Sequence, residues 1–386
     1  MPWKEVRLVD DLVQFITDVN KSEESFAELC RRFRISRKTG YKWCDRYEEL
    51  GLAGLEPRAP IARTCPHKTP DELVAALINL RKEHPSWGPK KLKARLEALG
   101  TSDVPAASTV GDLLKRHGLV RPRRRRYYPP AMTPQPLAEA TTPNDTWCVD
   151  FKGHFALGDK TRCYPLTLTD QVARYLLKCE SVDKPDEGHV RPHFDRAFRE
   201  FGLPLRMRSD NGPPFASTGI GGLSELSVWW IKLGIVPERI EPGKPQQNGR
   251  HERMHKTLKE EVASKPEADR QAQQLAFDRF RHIFNDVRPH EAIEMQTPSS
   301  RYTTSRRVMP ASLSSPEYPE TMTVRRVAPN GYVSWQGQAV RISELLRGEP
   351  VGIELIEEDR WRMHYGPVVL AELTKRGKEV RLDRQR

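Results

Sequence analysis

The sequence contains few cysteines and no long apolar run. Its 386 residues include six cysteines, and no two of them form a Cys-x-x-Cys pair. This pattern argues against a zinc knuckle and favours reduced cytosolic thiols over a disulfide framework. No stretch approaches the roughly 20 apolar residues that a membrane-spanning helix needs. The first residues also lack the apolar core and cleavage site of a signal peptide. We therefore expect a cytoplasmic protein.

Acidic residues are outnumbered by basic ones. The chain has 64 Lys and Arg against 52 Asp and Glu, which gives a formal net charge of +12 and a pI of about 9.4. Such an excess favours a polyanionic partner, nucleic acid first and an anionic membrane second. With 37% hydrophobic residues, the chain has enough apolar material for two or three domains with real cores.

The N-terminal segment has the pattern of a helix-turn-helix. An apolar stripe runs through residues 26–33, and Ser36 is a good N-cap for the helix that follows. A glycine is common in such turns, whereas this turn has Arg34. The second helix is expected to lie in the major groove of DNA, and the alternative is a helical bundle with a solvated basic face. Its candidate DNA contacts are Arg37, Lys38, Tyr41 and Lys42.

A second helical unit over residues 70–120 leads into an arginine-rich segment, RPRRRRYYPP. Its prolines exclude a regular helix, and its charge is undiluted by acids. An extended arginine arm suits phosphate contacts or insertion into the minor groove. The alternative is a solvated linker. The predicted DNA contacts here are Arg121, Arg123, Arg124, Arg125 and Arg126.

From residue 145 the pattern changes to strands and helices. Three strand-like runs are followed by alternating helices and strands, which predicts an α/β domain with a mixed sheet. Short strands with turn signals near the end predict a small all-β barrel. The predicted organisation is a helix-turn-helix domain at 1–56, a linker at 57–69, a second such domain at 70–120, a basic linker at 121–143, an α/β core at 144–300, a linker at 301–320, a β domain at 321–375 and a basic tail at 376–386.

Three carboxylates stand out by position. Asp150 lies between Val149 and Phe151 in a half-buried strand, where an unpaired charge is costly. Asp210 ends the strand PLRMRSD, at the edge where α/β domains place ligands. Glu252 lies early on a helix preceded by PGKPQQNG. Asp210 could instead be a turn residue and Glu252 a solvated helix position.

Glu252 also lies within HERMH, which matches the His-Glu-x-x-His sequence motif of zinc proteases. The extended motif fails, because Leu258 and Glu261 occupy the positions of its Gly and its last His. A five-residue match of this kind is also common by chance. The motif therefore does not identify Glu252 as the base of a zinc hydrolase, and we expect His251 and His255 to meet DNA or to pack the helix.

The segments NDTWCVDFKG, SDNGPPF and PGKPQQNGRHERMHKTLK together resemble the catalytic segments of insertion-sequence transposases of the retroviral-integrase superfamily, the DDE enzymes. RPHEAIEMQTP and the helix-turn-helix units resemble that family too. The resemblance implies a ribonuclease H-like core, with Asp150, Asp210 and Glu252 holding two Mg²⁺ (or Mn²⁺) ions. It also implies cleavage and strand transfer on double-stranded DNA by a homo-oligomer, at the terminal inverted repeats and a target.

The spacing from Asp210 to Glu252 is longer than usual for this family and fits a Gly/Ser-rich insertion, ASTGIGGLSELS.

The residues around these acids complete the predicted site. Lys256 and Lys259 follow Glu252 by four and seven positions, so they share its helix face and are expected to contact phosphates. Turn shaping is expected from Asn211 and Gly212, and helix capping from Asn248 beside Gly249. The rival interpretation is a DNA-binding regulator with an inactive integrase-like core.

Overall fold

A computed structural model describes residues 6–21, 23–56, 68–120, 137–241, 245–376 and 379–383. The chain divides into two compact units, Met1–Lys68 and Thr69–Arg386. Within the described ranges, no helix is both long enough and apolar enough to cross a bilayer.

The first unit contains the predicted helix-turn-helix. Ser25 and Glu28 form a capping box at the start of α2, and Ser36 caps α3 by accepting a hydrogen bond from the backbone N–H of Thr39, as predicted. Arg34 adopts a left-handed backbone conformation in the turn, with φ of 57°. The helices are α1 (Val6–Lys21), α2 (Phe26–Arg32) and α3 (Arg37–Leu50), followed by a 3₁₀ turn at Gly51–Leu55.

Close packing between α2 and α3 depends on Gly40. A Cβ atom at this position would lie 2.8 Å from the Sγ of Cys30 and 2.9 Å from the Cζ of Phe26. The helices surround a small apolar core that includes Phe15, Leu29 and Leu55. A residue with any side chain at position 40 would therefore push the recognition helix away from its support.

The three helices within residues 71–116 pack against the α/β core that follows them. Their own core is built around Trp87 and reaches Ile283 and Val287 of the α/β core. At the same contact the Arg288 guanidinium donates to Glu261 at 2.6 Å, and the Ser86 hydroxyl donates to the same carboxylate. The helices are α4 (Asp71–Glu83), α5 (Pro89–Ala98) and α6 (Ala107–Arg116).

A mixed sheet forms the centre of the α/β core. Strand β3 pairs antiparallel with β1, β2 and β4, whereas β5 pairs parallel with β1 and β6 parallel with β5. This is the arrangement of a ribonuclease H-like sheet and confirms the predicted fold class. The strands are β1 (Thr146–Phe151), β2 (Phe155–Ala156), β3 (Arg162–Asp170), β4 (Leu176–Val182), β5 (Arg206–Ser209) and β6 (Val236–Arg239).

Helices cover both faces of this sheet. Because side chains alternate along a strand, Trp147 and Val149 of β1 enter the core beneath α7 and α8. The Asp150 side chain points to the opposite face of the sheet. On that face lie α9 and α10, and the core beneath them includes Met254 and Phe277. The helices are α7 (Glu187–Phe201), α8 (Glu225–Lys232), α9 (Gly249–Leu258) and α10 (Arg270–His282); π-helical turns at Lys259–Ala263 and Ile283–Val287 extend the last two.

Helix α7 corrects one expectation. The sequence predicts a break near Pro192, but the helix continues through that residue. Proline removes one backbone hydrogen bond and would kink an isolated helix. Here the buried residues Val190, Phe194, Phe198 and Phe201 anchor the helix on both sides of Pro192, and their burial outweighs the lost bond.

The C-terminal region is all-β, as predicted, and it shares a core with the α/β domain. Ile220 and Ile231 pack among the strand residues of the β region, and Lys232 pairs with Glu349 at 2.8 Å. The Gly-rich segment after Asp210 therefore packs against the β region instead of forming a free loop. One sheet has the order β13-β12-β11-β10-β7, and β8 pairs with β9. The strands are β7 (Thr323–Arg326), β8 (Tyr332–Trp335), β9 (Gln338–Arg341), β10 (Pro350–Glu357), β11 (Arg360–Tyr365), β12 (Val368–Arg376) and β13 (Glu379–Asp383).

The intervening segment 301–320 packs on the core, although it contains no regular element among its described residues. Tyr302 stacks on Tyr175 with ring centroids 4.4 Å apart, and its hydroxyl donates to Asn144 at 2.9 Å. Asn144 also accepts from the indole of Trp147 at 3.0 Å. These contacts fix the entry to strand β1.

Candidate active site

Asp150 lies near the end of β1, half-buried, with 23% of its side chain exposed. Burial first, and then the negative charges of Asp210 and Glu252, raise its pKa to about 7. The charges of Asp210 and Glu252 therefore act on Asp150, although the three residues are far apart in sequence. Burial and like charge are the two causes that disfavour an ionised carboxyl.

Asp210 directly follows β5, which pairs parallel with β1. Parallel strands end at the same edge of a sheet, so Asp210 emerges beside the end of β1. The backbone N–H of Gly212 donates to Asp210 Oδ1 at 3.2 Å, and the Asn211 amide donates to the carbonyl of Ile240 at 2.7 Å. These two contacts shape the turn that holds the carboxylate.

Glu252 lies exposed in the first turn of α9. Gly249 is the first residue of this helix, and Asn248 occupies the N-cap position, but the Asn248 side chain makes no capping hydrogen bond. Its amide oxygen is buried without a hydrogen-bond partner among the described residues. The capping role predicted for the Asn248 side chain is therefore wrong.

The two histidines of HERMH point into the protein. His251 Nε2 and His255 Nε2 lie 2.8 and 2.6 Å from Thr167 Oγ1, and His251 Nδ1 lies 2.8 Å from Thr169 Oγ1. Burial lowers the pKa of His251 to about 3 and that of His255 to about 2. Both rings are therefore neutral at physiological pH.

These contacts do not fit a zinc-protease site. Both ring nitrogens of His251 are occupied by threonine hydroxyls, so this residue has no lone pair free for a metal. One cluster that sequence reasoning missed remains: atoms of Asp150, His251 and His255 lie within 4.8 Å of one another. The sequence carried no signal for this cluster, because the histidines are held in it by Thr167 and Thr169, which lie on a strand that is distant in the chain.

Cationic side chains lie along the helix that carries Glu252 and in the turn that follows it. Lys256 and Lys259 are exposed on α9, as are Arg250 and Arg253. Arg174 is half-buried, and its pKa is lowered to about 10 by burial first and then by the neighbouring arginines. Helical spacing from Glu252 gives no signal for Arg174 or for the two arginines of α9.

On the first unit, the predicted DNA-contacting residues of α3 are all exposed. Tyr41, with 56% of its surface exposed, stacks on Phe26 with ring centroids 4.3 Å apart. The face therefore combines cations with a fixed aromatic ring. The predicted contacts of the arginine-rich segment lie outside the described residues: Arg121, Arg123, Arg124, Arg125 and Arg126.

Comparison with protein families agrees with this architecture. Two models described as integrase core domains match residues 140–245 and 233–298. A helix-turn-helix domain model matches residues 14–63, and a homeodomain-like domain model matches residues 39–114. The matches thus cover both the helical N-terminal part and the α/β core.

Among solved structures, the chain is similar to the HTLV-2 integrase catalytic core domain in complex with magnesium. The identity is 17%, the match covers 43% of this chain and 100% of that one, and the TM-score is 0.34. It is also similar to a chain of the simian T-cell lymphotropic virus intasome in complex with the PP2A regulatory subunit B56 gamma. There the identity is 14%, the coverage 76% and 97%, and the TM-score 0.38.

Two insertion-element proteins are related over most of their length. The chain is 30% identical over 233 residues to the 31.7 kDa protein of insertion element IS407 from Burkholderia multivorans, covering 59% of this chain and 79% of that protein. It is 29% identical over 277 residues to the 39.2 kDa protein of insertion element IS476 from Xanthomonas euvesicatoria, covering 69% and 75%. The chain belongs to the insertion-sequence transposases of the retroviral-integrase superfamily.

Proposed function

We propose that this protein is a DNA transposase that binds the ends of its element and catalyses metal-dependent phosphodiester cleavage and strand transfer. Asp150, Asp210 and Glu252 are the proposed catalytic residues and the ligands of two Mg²⁺ or Mn²⁺ ions. The observation that carries this proposal is the parallel pairing of β1 with β5, which brings Asp150 and Asp210 to the same edge of the sheet; the raised pKa of Asp150, to which burial and the two other acids contribute, supports it. A cluster of carboxylates that repel one another is suited to bind a cation.

The donor set fits a divalent ion of this kind. Mg²⁺ prefers carboxylate oxygens and leaves positions for water and substrate phosphate. Asp150 and Asp210 are partly exposed and Glu252 is exposed, so DNA can reach all three. When bound, such ions supply Lewis-acid activation of the nucleophile and stabilisation of the leaving oxygen.

The reaction consists of two displacements at phosphorus. In the first, water attacks the phosphodiester at the element end; the bond to the 3′-oxygen breaks, leaving a 3′-hydroxyl on the element and a 5′-phosphate on the flank. In the second, that 3′-hydroxyl attacks a target phosphodiester and displaces its 3′-oxygen. In both steps the carboxylates would hold the ions, and bound ions would supply the charge that brings the reacting groups into line.

Binding is assigned to separate surfaces. The exposed face of α3 would read the terminal inverted repeat in the major groove, and the arginine-rich segment would follow the backbone. Lys256 and Lys259 would contact phosphates beside the acids. Joining two ends to one target calls for more than one copy, so we propose a homo-oligomer on double-stranded DNA.

The test is to compare wild type with Asp150→Asn on duplexes that carry the element's own ends. We expect the variant to bind these ends like wild type but to show no nicking or joining with Mg²⁺ or Mn²⁺. Asp159→Asn is the matched control, since Asp159 lies in the exposed turn after β2 and its side chain accepts hydrogen bonds only from Thr161 among the described residues. Full activity in Asp150→Asn would refute the assignment; a wild type that binds but never nicks would favour the regulator with an inactive core.

A further inference from the structure

A buried hydrogen-bond network links the backbone of Asp150 to the inner face of α9. The Thr167 hydroxyl lies 3.0 Å from the carbonyl oxygen of Asp150 and within 2.8 Å of Nε2 of both His251 and His255. A hydroxyl has one proton to donate and two lone pairs. The carbonyl can only accept, so the Thr167 proton is directed to Asp150. Both imidazoles must then donate their Nε2–H groups to Thr167.

This arrangement fixes the tautomers of the two histidines. A neutral imidazole carries one N–H, so the Nδ1 atoms of both rings are unprotonated. Nδ1 of His251 accepts from the Thr169 hydroxyl at 2.8 Å. Nδ1 of His255 has no hydrogen bond with any residue that the structure describes, and it lies 3.7 Å from Asp150 Oδ2. The free lone pair of His255 therefore lies beside the carboxylate.

Two electron-pair donors that face each other in a mostly buried place repel unless something positive lies between them. Asp150 Oδ2 and His255 Nδ1 are close enough to reach one cation together, since metal–ligand bonds of this type are about 2.0–2.2 Å. Glu252 precedes His255 by three residues, so the two are neighbours on the surface of α9. The charge of the Glu252 carboxylate also acts on Asp150.

We propose that His255 is a ligand, through Nδ1, of the divalent cation that Asp150 holds. This inference rests on the proposed function and adds a nitrogen to a set of oxygen donors. An imidazole ligand favours transition metals over Mg²⁺ when compared with an all-oxygen site. His251 is not a ligand, because both of its nitrogens are already bonded; its role is to hold Thr167 and Thr169 in place.

The direct test is pulsed electron paramagnetic resonance of Mn²⁺ bound to the tag-free full chain. We expect electron spin-echo modulation from a directly bound ¹⁴N nucleus, replaced by a ¹⁵N signal when the protein is made with ¹⁵N-histidine. This isotope exchange needs no substitution, so it holds even if variants at position 255 fold poorly. In His255→Asn the nitrogen signal should vanish, and Mn²⁺ affinity should fall by about tenfold or more.

Two controls separate the outcomes. His189→Asn, on the exposed first turn of α7, should keep the signal. If Mn²⁺ binding depends on Asp150 but the wild-type spectrum lacks histidine nitrogen, the inference is wrong and the proposed function stands. If Mn²⁺ binds equally well to Asp150→Asn, the proposed metal site itself is wrong.

Discussion

Two basic helices of this protein, α3 and α9, present similar charges to solvent but differ on their buried sides. On α3 the exposed face carries Arg37, Lys38 and Lys42, and the buried side includes Gly40 against apolar neighbours. On α9 the exposed face also carries cations, together with Glu252. Its buried side bears two histidines bonded to threonines of β3.

Under the proposed function, this difference would separate a helix that binds DNA from a helix that takes part in the reaction. Exposed cations suffice for phosphate contacts, which need charge but little fixed geometry. A carboxylate that takes part in chemistry must be held in place, and a satisfied polar network beneath it supplies that rigidity. The inner face of a basic helix therefore says more about its function than the outer face.

The largest expected effect is on the cleavage rate and comes from two acids, Glu252 on α9 and Asp210 directly after β5. Glu252→Gln and Asp210→Asn should each lower the cleavage rate by about a hundredfold or more, the scale of loss for one group that stabilises the transition state. Affinity for element ends should change little, because α3 is untouched. Single-turnover cleavage and fluorescence anisotropy measure the two effects. Glu260→Gln, exposed in the π-helical turn that follows α9, is the control; equal losses in it would contradict the distinction.

The inner face of α9 should make the metal-free protein sensitive to acid. The pKa of His251 is lowered to about 3 by burial, so the unfolded state takes up a proton below the ordinary value of about 6.5 and the folded state does not. Stability due to this residue is thus complete above pH 6.5 and is lost as pH falls, by about 2 kcal/mol at pH 5.

The measurement is the difference between wild type and His251→Asn in chemical denaturation at pH 7 and pH 5. The loss of stability on acidification should be smaller in the variant by that amount. Asp150 acts with the opposite sign, because its raised pKa favours the folded state at lower pH, and its contribution cancels in the difference. An identical pH dependence in both proteins would show that His251 is not buried in its neutral form.

Substituting one glycine on each helix, Gly40 on α3 and Gly249 on α9, tests how closely each helix is packed. Gly40→Ala should destabilise the first unit by about 1–3 kcal/mol, since its Cβ would overlap Cys30 and Phe26. Gly249→Ala should be neutral or stabilising by up to about 1 kcal/mol, because no atom lies within 4 Å of the added Cβ. Thermal unfolding monitored by circular dichroism tests both. If the two variants behave alike, the close packing of α2 on α3 is wrong.

The smallest effects are expected from single cations. Lys256→Ala, Lys259→Ala and Lys42→Ala should each reduce the slope of log affinity against log salt by about one unit. Only the α3 variant should also reduce the preference for element ends over random DNA, because its helix is the one placed to read bases. Lys184→Ala, at an exposed position before α7, should leave the slope unchanged.

Much of the fold could be predicted because its signals are local. Ser36 caps α3 through a contact three residues away, and alternation along β1 assigns Asp150 to one face of the sheet. The three acids were identifiable because each lies in a short, distinctive segment. These features depend on neighbours in sequence, which a pattern can represent.

The rest depends on contacts between distant segments. Thr167 meets His255 across 88 positions of sequence, and no periodicity of α9 encodes that pairing. The same holds for Ile231, whose partners come from the C-terminal strands, and for Pro192, where tertiary packing outweighs the local preference. Burial and pKa shifts arise from the assembled fold, so the sequence alone does not reveal them.

The most direct test of the central claim is a metal-rescue experiment at the scissile phosphate of the element end. A sulfur replaces one non-bridging oxygen of that phosphate, and single-turnover cleavage is measured with Mg²⁺ and with Mn²⁺. A cation held by Asp150, Asp210 and Glu252 against this phosphate predicts strong slowing with Mg²⁺ in one diastereomer and recovery with Mn²⁺. Equal cleavage of the oxygen and sulfur substrates with Mg²⁺, in both diastereomers, would contradict the account.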